Sequence, residues 1–170
     1  MKQRFLYILL VVVFVGVSAG GCGQDVGVSG DSTNAVALCK SYYQQCVDPI
    51  FYKYLSRTDG AVKQCIECHQ GGPGKSFQLP LDPNAVDYWS GAYETARNMS
   101  LDGLSSKLLL KPLGQLAHGG GQFFVNTADL DYLIINKWIS NPDPQNQVGD
   151  FDYNNDTAFC KTLFVPNTCL

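Results

Sequence analysis

The chain has 170 residues, 45% of them apolar and 16% charged, with a formal net charge of −3. This length and balance fit one modest domain able to bury a core, and no basic cluster points to nucleic acid as a partner. Seven cysteines stand against two histidines, so the compartment and the chemistry of the thiols are the first questions.

Lys2 and Arg4 open the chain, and residues 5–17 form an apolar run before the small residues Ser18, Ala19, Gly20 and Gly21. That is the layout of a secretory signal, and the run is shorter than the ~20 residues a membrane span needs. Two cleavage sites compete. One follows Val17-Ser18-Ala19. The other precedes Cys22, where Ser18-Ala19-Gly20-Gly21-Cys22 resembles a bacterial lipobox and would leave Cys22 as a lipidated first residue. Removing residues 1–21 takes away Lys2 and Arg4 and moves the formal charge from −3 to −5. Residues 22–34 are rich in Gly, Ser and Asp, as a flexible tether is. Residues 35–170 then make a single domain, with a core at about 46–140 and a C-terminal extension at 141–170.

Residues 35–47 read as a helix, with Asn34 as a possible cap and Asp48-Pro49 as a stop. Cys39 and Cys46 then lie seven residues apart along one helix, with α-carbons about 10.5 Å apart. That is beyond disulfide reach. Each is therefore expected to pair with Cys160 or Cys169, which staples the tail to the first helix in one of two pairing orders. Residues 49–55 read as a second short helix with an apolar stripe of Ile50, Phe51, Tyr54 and Leu55.

Next comes Cys65-Ile66-Glu67-Cys68-His69. C-x-x-C-H is the attachment signature of a c-type haem. Two thiols one turn apart can both reach porphyrin vinyl groups, and the histidine shares the first cysteine's face and can ligate the iron. A thioredoxin-like redox site needs a βαβ setting, and none surrounds this motif; the Gly-Pro-rich residues 70–74 would stop a helix opening there. Glu67 is expected to face solvent. The second ring nitrogen of His69 needs an orienting acceptor, expected among the carbonyls of residues 78–81.

Downstream, residues 87–99 and 104–110 read as helices, the second ending at Lys111-Pro112. Residues 126–140 give the clearest helix, capped by Asn126 or Thr127, with Leu130, Leu133, Ile134 and Trp138 at helical spacing and Asn141-Pro142 as its end. Trp89 and Trp138 read as core. Asp150-x-Asp152-x-Asn154-x-Asp156 has the alternating oxygens of a calcium loop but lacks its sixth-position glycine and twelfth-position glutamate, so it reads as a solvated loop. Strands are scarce, and the class is mostly α.

Two cysteines given to haem leave five, an odd number for an oxidising compartment. Lipidation of Cys22 removes the oddity and leaves the four stapling cysteines, which favours the lipoprotein site. A sixth iron ligand can come from His118 or from Met99, the mature chain's one methionine, or the position can stay open.

Pro49-Ile50-Phe51, the motif itself, Ser-Lys-Leu-Leu-Leu-Lys-Pro-Leu-Gly at 106–114, His118-Gly119-Gly120-Gly121 and Trp138-Ile139 stand in one order over about residues 46–140. In this the chain resembles monohaem c-type cytochrome domains. The resemblance implies the small helical cytochrome c fold, with the first and last helices crossing beside the haem and His118 as the distal ligand. Glycine after Cys22 resembles lipoproteins of an outer membrane. The expectation is an extracytoplasmic, membrane-tethered electron carrier with one haem c, redox protein partners and no catalytic residues. A haem enzyme or gas-binding protein with a labile sixth ligand, peroxidase-like, is the alternative.

Overall fold

The computed structural model describes residues 37–71, 77–82, 84–144, 157–163 and 168–170. The signal, the tether with Cys22, and the calcium-like loop at 150–156 lie outside them. Among the described residues the chain is mostly helical, and its one sheet is a two-stranded antiparallel ribbon. That small helical architecture agrees with the fold class expected from the sequence.

The first helical run does not stop at Pro49. Helix α1 (Lys40–Tyr42) continues through a π-helical segment (Tyr43–Val47) into α2 (Asp48–Tyr52). Proline has no N–H to give the preceding turn and crowds its carbonyl. A π segment directly before it widens the ladder there, so the chain passes through Pro49 without breaking. Pro49 sits in the first turn of α2, where a missing N–H costs least. The start is also later than expected, with Cys39 in the cap position; residues 37 and 38 instead face Pro142 and Asp143. Leu38 bridges Pro142, and Asp143 N–H donates to Ala37 O at 2.9 Å.

The ribbon β1 (Leu55–Ser56) and β2 (Val62–Lys63) follows, in register Leu55 with Lys63 and Ser56 with Val62. It leads into α3 (Cys65–His69), so the helix bearing the motif is a single short turn. Helix α4 (Tyr88–Met99) matches expectation closely, whereas α5 (Lys107–Leu110) is shorter than the expected 104–110 helix and follows a separate 3-10 turn at Gly103–Ser105. Helix α6 (Leu130–Ser140) begins four residues late. Asn126 spends its side chain on a turn, accepting from Ala128 N–H at 2.7 Å, and Asp129 takes over as cap by accepting from Asp131 N–H at 3.0 Å. Its buried face is Asp131, Ile134, Ile135, Trp138 and Ile139, and Leu130, expected on the apolar stripe, is exposed.

The core is aromatic. Trp138 is fully buried between Tyr43 and Tyr93, with ring centroids at 5.1 and 5.9 Å, and its indole N–H donates to Cys39 O at 2.8 Å. The first helical run, the 88–99 helix and α6 therefore lock together through tilted and edge-on ring contacts plus one satisfied buried donor. Short helix α7 (Ala158–Leu163) is tied to this core by Cys39–Cys160, and the chain end by Cys46–Cys169, with α-carbons 5.2 and 5.6 Å apart. The tail is stapled as expected, and of the two pairing orders this is the one formed.

One carboxylate lies inside the aromatic layer. Asp48 is buried and accepts from the hydroxyls of Tyr43 and Tyr88, each at 3.0 Å. Burial pushes its carboxyl above the ordinary range, although the two hydroxyls oppose that shift.

Candidate functional site

Helix α3 is short, so its ends must be held by side chains. Glu67 accepts from Gln64 N–H at 3.1 Å and pairs with Lys63 at 3.4 Å. It is exposed, as expected, and also caps the turn that carries the motif. Within that turn Cys65 is partly buried, with its thiol pushed up to about 12, first by burial and then by the neighbouring Asp131 charge. Asp131 is itself held by Lys53 at 2.5 Å. Cys65 is a free thiol. Cys68 is disulfide-bonded, and its partner is not among the described residues.

His69 ends the turn. Its Nδ1 lies 2.9 Å from Phe77 O, and Leu79 N–H donates to His69 O at 2.8 Å. The orienting carbonyl is thus one residue before the 78–81 stretch expected to supply it. A carbonyl can only accept, so Nδ1 carries a proton there. The Phe77 ring packs edge-on to the imidazole at 4.8 Å.

His118 is arranged in the same way. Its Nδ1 donates to Gly121 O at 2.8 Å, and Gly121 N–H returns to His118 O at 2.9 Å. The residue next to this closure must be small: a Cβ on Gly120 would stand 3.2 and 3.3 Å from His118 Cε1 and Nε2. Gly121 has φ +90°, a conformation that favours glycine. The glycines after His118 thus have an identifiable steric purpose.

The two histidines meet. Their ring centroids are 6.2 Å apart and their planes 18° from parallel. Both line an open cleft together with Phe77, Met99, Leu108, Pro112, Lys107 and Lys111. Met99, the other candidate ligand, reaches the same cleft.

A metal held between two imidazole nitrogens at about 2.0–2.1 Å each, with about 1.1 Å more from nitrogen to ring centre, puts the centroids about 6.2 Å apart. The observed spacing fits that requirement. Among the described residues no cluster of three or more His, Cys, Asp or Glu side chains is arranged around a metal ion. A metal between these rings would need its remaining ligands from elsewhere, which a porphyrin supplies. His69 and His118 would be the residues to hold such an iron, and the thiol of Cys65 is not tied up in a disulfide. Attachment at Cys68 requires that its sulfur first be released from the disulfide.

Sequence reasoning brought together Cys65, Cys68, His69, His118 and Met99. It missed the Phe77 carbonyl by one residue, and it missed Lys107 and Lys111 at the cleft, which lie four apart on one face beside the Leu-Leu-Leu run. Comparison with family models, with curated proteins and with solved structures finds no match. The likeness to monohaem cytochrome domains rests on the motifs in the sequence alone.

Proposed function

We propose that this chain is an extracytoplasmic monohaem c-type cytochrome of the small helical cytochrome c fold that carries single electrons. One haem c is joined through Cys65 and Cys68, with His69 and His118 on its iron. The observation that carries the reading is the pairing of His69 with His118 across one cleft at a spacing suited to an intervening metal. The group would supply a one-electron couple. The chain's part is to hold it: Phe77 O and Gly121 O fix each imidazole's tautomer and heading, and Phe77 and Leu108 exclude water from the cleft. No general acid or base is needed for such a task. Partners are redox proteins at the exposed edge, and the membrane through a lipid on Cys22.

Because Met99 lines the same cleft, a His69/Met99 iron is the second reading. Methionine ligation raises the potential. A redox-titrated absorption spectrum of the full chain, with and without carbon monoxide, separates the possibilities. Bis-histidine ligation predicts a low-spin spectrum without a sulfur–iron charge-transfer band and no rapid carbon monoxide binding. The band would replace His118 by Met99. Rapid binding would favour the gas-binding or peroxidase-like alternative, and absence of covalent haem would end the proposal.

A further inference from the structure

Arg57 lies in the turn between β1 and β2, far in sequence from Gly121 and against it in space. Its own turn is rigid. Arg57 N–H donates to Ala61 O at 2.7 Å, Gly60 N–H to Arg57 O at 3.0 Å, and Ala61 N–H to Asp59 Oδ1 at 3.1 Å. The turn is also joined to the loop that carries His118, through Thr58 N–H to Gln122 O at 3.1 Å. The guanidinium is held at one end by Asp59, at 2.6 Å from Nη2. At the other it rests on Gly121: a Cβ there would stand 2.5 to 2.6 Å from Arg57 Nε, Cζ and Nη2. Its Nε is buried and makes no hydrogen bond to any described residue. Gly121 is also the residue whose carbonyl takes the Nδ1 proton of His118.

We propose that Arg57 is a positioning residue for the distal iron ligand, acting through Gly121 to fix the heading and the electron-donating strength of His118. This rests on the bis-histidine reading given above. Two effects follow from the contact. A planar fork pressed on the Gly121 backbone limits rotation of the 118–121 turn, which keeps Nε2 aimed into the cleft. A fixed cation beside the accepting carbonyl draws electron density from it and weakens its hold on the Nδ1 proton. The imidazole is then a poorer donor to the iron. Both that weakening and the cation's own field favour the reduced, less positive iron, so Arg57 raises the potential.

The test uses the haem-loaded full chain and the variants Arg57→Gln, Arg57→Lys, Gly121→Ala and His118→Ala. Spectrum, midpoint potential, carbon monoxide association rate and thermal melting are measured for each. Arg57→Gln is expected to lower the potential and to raise carbon monoxide association by roughly 10–100-fold, the range for loss of a supporting partner. Arg57→Lys keeps the charge without the planar fork. It is expected to restore the potential more fully than the ligand's hold. Gly121→Ala drives a methyl into the guanidinium and is expected to produce high-spin haem. If Arg57→Gln leaves potential, spectrum and carbon monoxide rate at wild-type values, the positioning role is overturned while the ligand assignment stands. If only melting changes, Arg57 is structural and the proposal is overturned as well. If His118→Ala leaves the wild-type spectrum unchanged, the ligand reading fails and the role of Arg57 fails with it.

Discussion

Asp48 is the residue whose chemistry and surroundings agree least. A carboxylate is expensive to bury without a cation, and here the partners given to it are two tyrosine hydroxyls. Burial raises its folded-state pKa, so the folded chain binds this proton more tightly than the unfolded chain does. The stabilisation from this group is full below the ordinary carboxylate range. It is lost as pH rises through the raised folded value. Asp48→Asn keeps a carbonyl that can accept from Tyr43 and Tyr88 and removes the charge. The variant is expected to gain on wild type in urea midpoint as pH goes from about 4 to 7. A difference that stays constant over that range would mean the carboxylate does not titrate as its burial requires. The same layer explains the tyrosines: Tyr43 and Tyr88 are pushed well above their usual value, first by burial, and both stay protonated donors.

At the level of elements, the two disulfides do unequal work according to the order in which they form. Either one alone closes a loop of more than 120 residues, for which chain entropy gives about 4–5 kcal/mol. Once one is closed, the other completes a ring of only the eight residues from Cys39 to Cys46 and the ten from Cys160 to Cys169. That smaller ring is worth about 3 kcal/mol. Replacing Cys39 and Cys160 together by serine should cost roughly 3 kcal/mol in denaturant unfolding, and so should the Cys46 and Cys169 pair. Losing all four should cost about 7–8 kcal/mol, close to the whole stability of a small domain. Equal small losses in every case would place the staple's effect elsewhere. This pairing was partly legible, because helix rise alone forbids Cys39–Cys46. What sequence could not give was the route of the first helix through Pro49. A proline reads locally as a stop, and the π turn that accommodates it depends on Tyr43 and Val47 being buried against α6. The late start of α6 has a similar cause, since Asn126 can cap a helix or make a turn and only the tertiary path decides. The His69 turn was legible since its signals are all local. The contact of Arg57 with Gly121 joins residues 64 positions apart and left no pattern to read.

Taken whole, the molecule places its cleft between one short turn and one glycine-rich loop, both short of regular hydrogen bonding, on an aromatic core that supplies the rigidity. If Cys22 carries lipid, Cys22→Ser should move the haem protein from the membrane to the soluble fraction of the exporting cell with its spectrum intact. Retention in the membrane would remove the anchor from the proposal and leave the electron carrier. The core side of this design has a mechanical consequence. Any chain leaving residue 37 toward the N-terminus departs beside the Leu38–Pro142 bridge and two residues from the Cys39–Cys160 bond. A pull on that end loads Cys39, where the peptide bond to α1 and the disulfide to α7 share the strain.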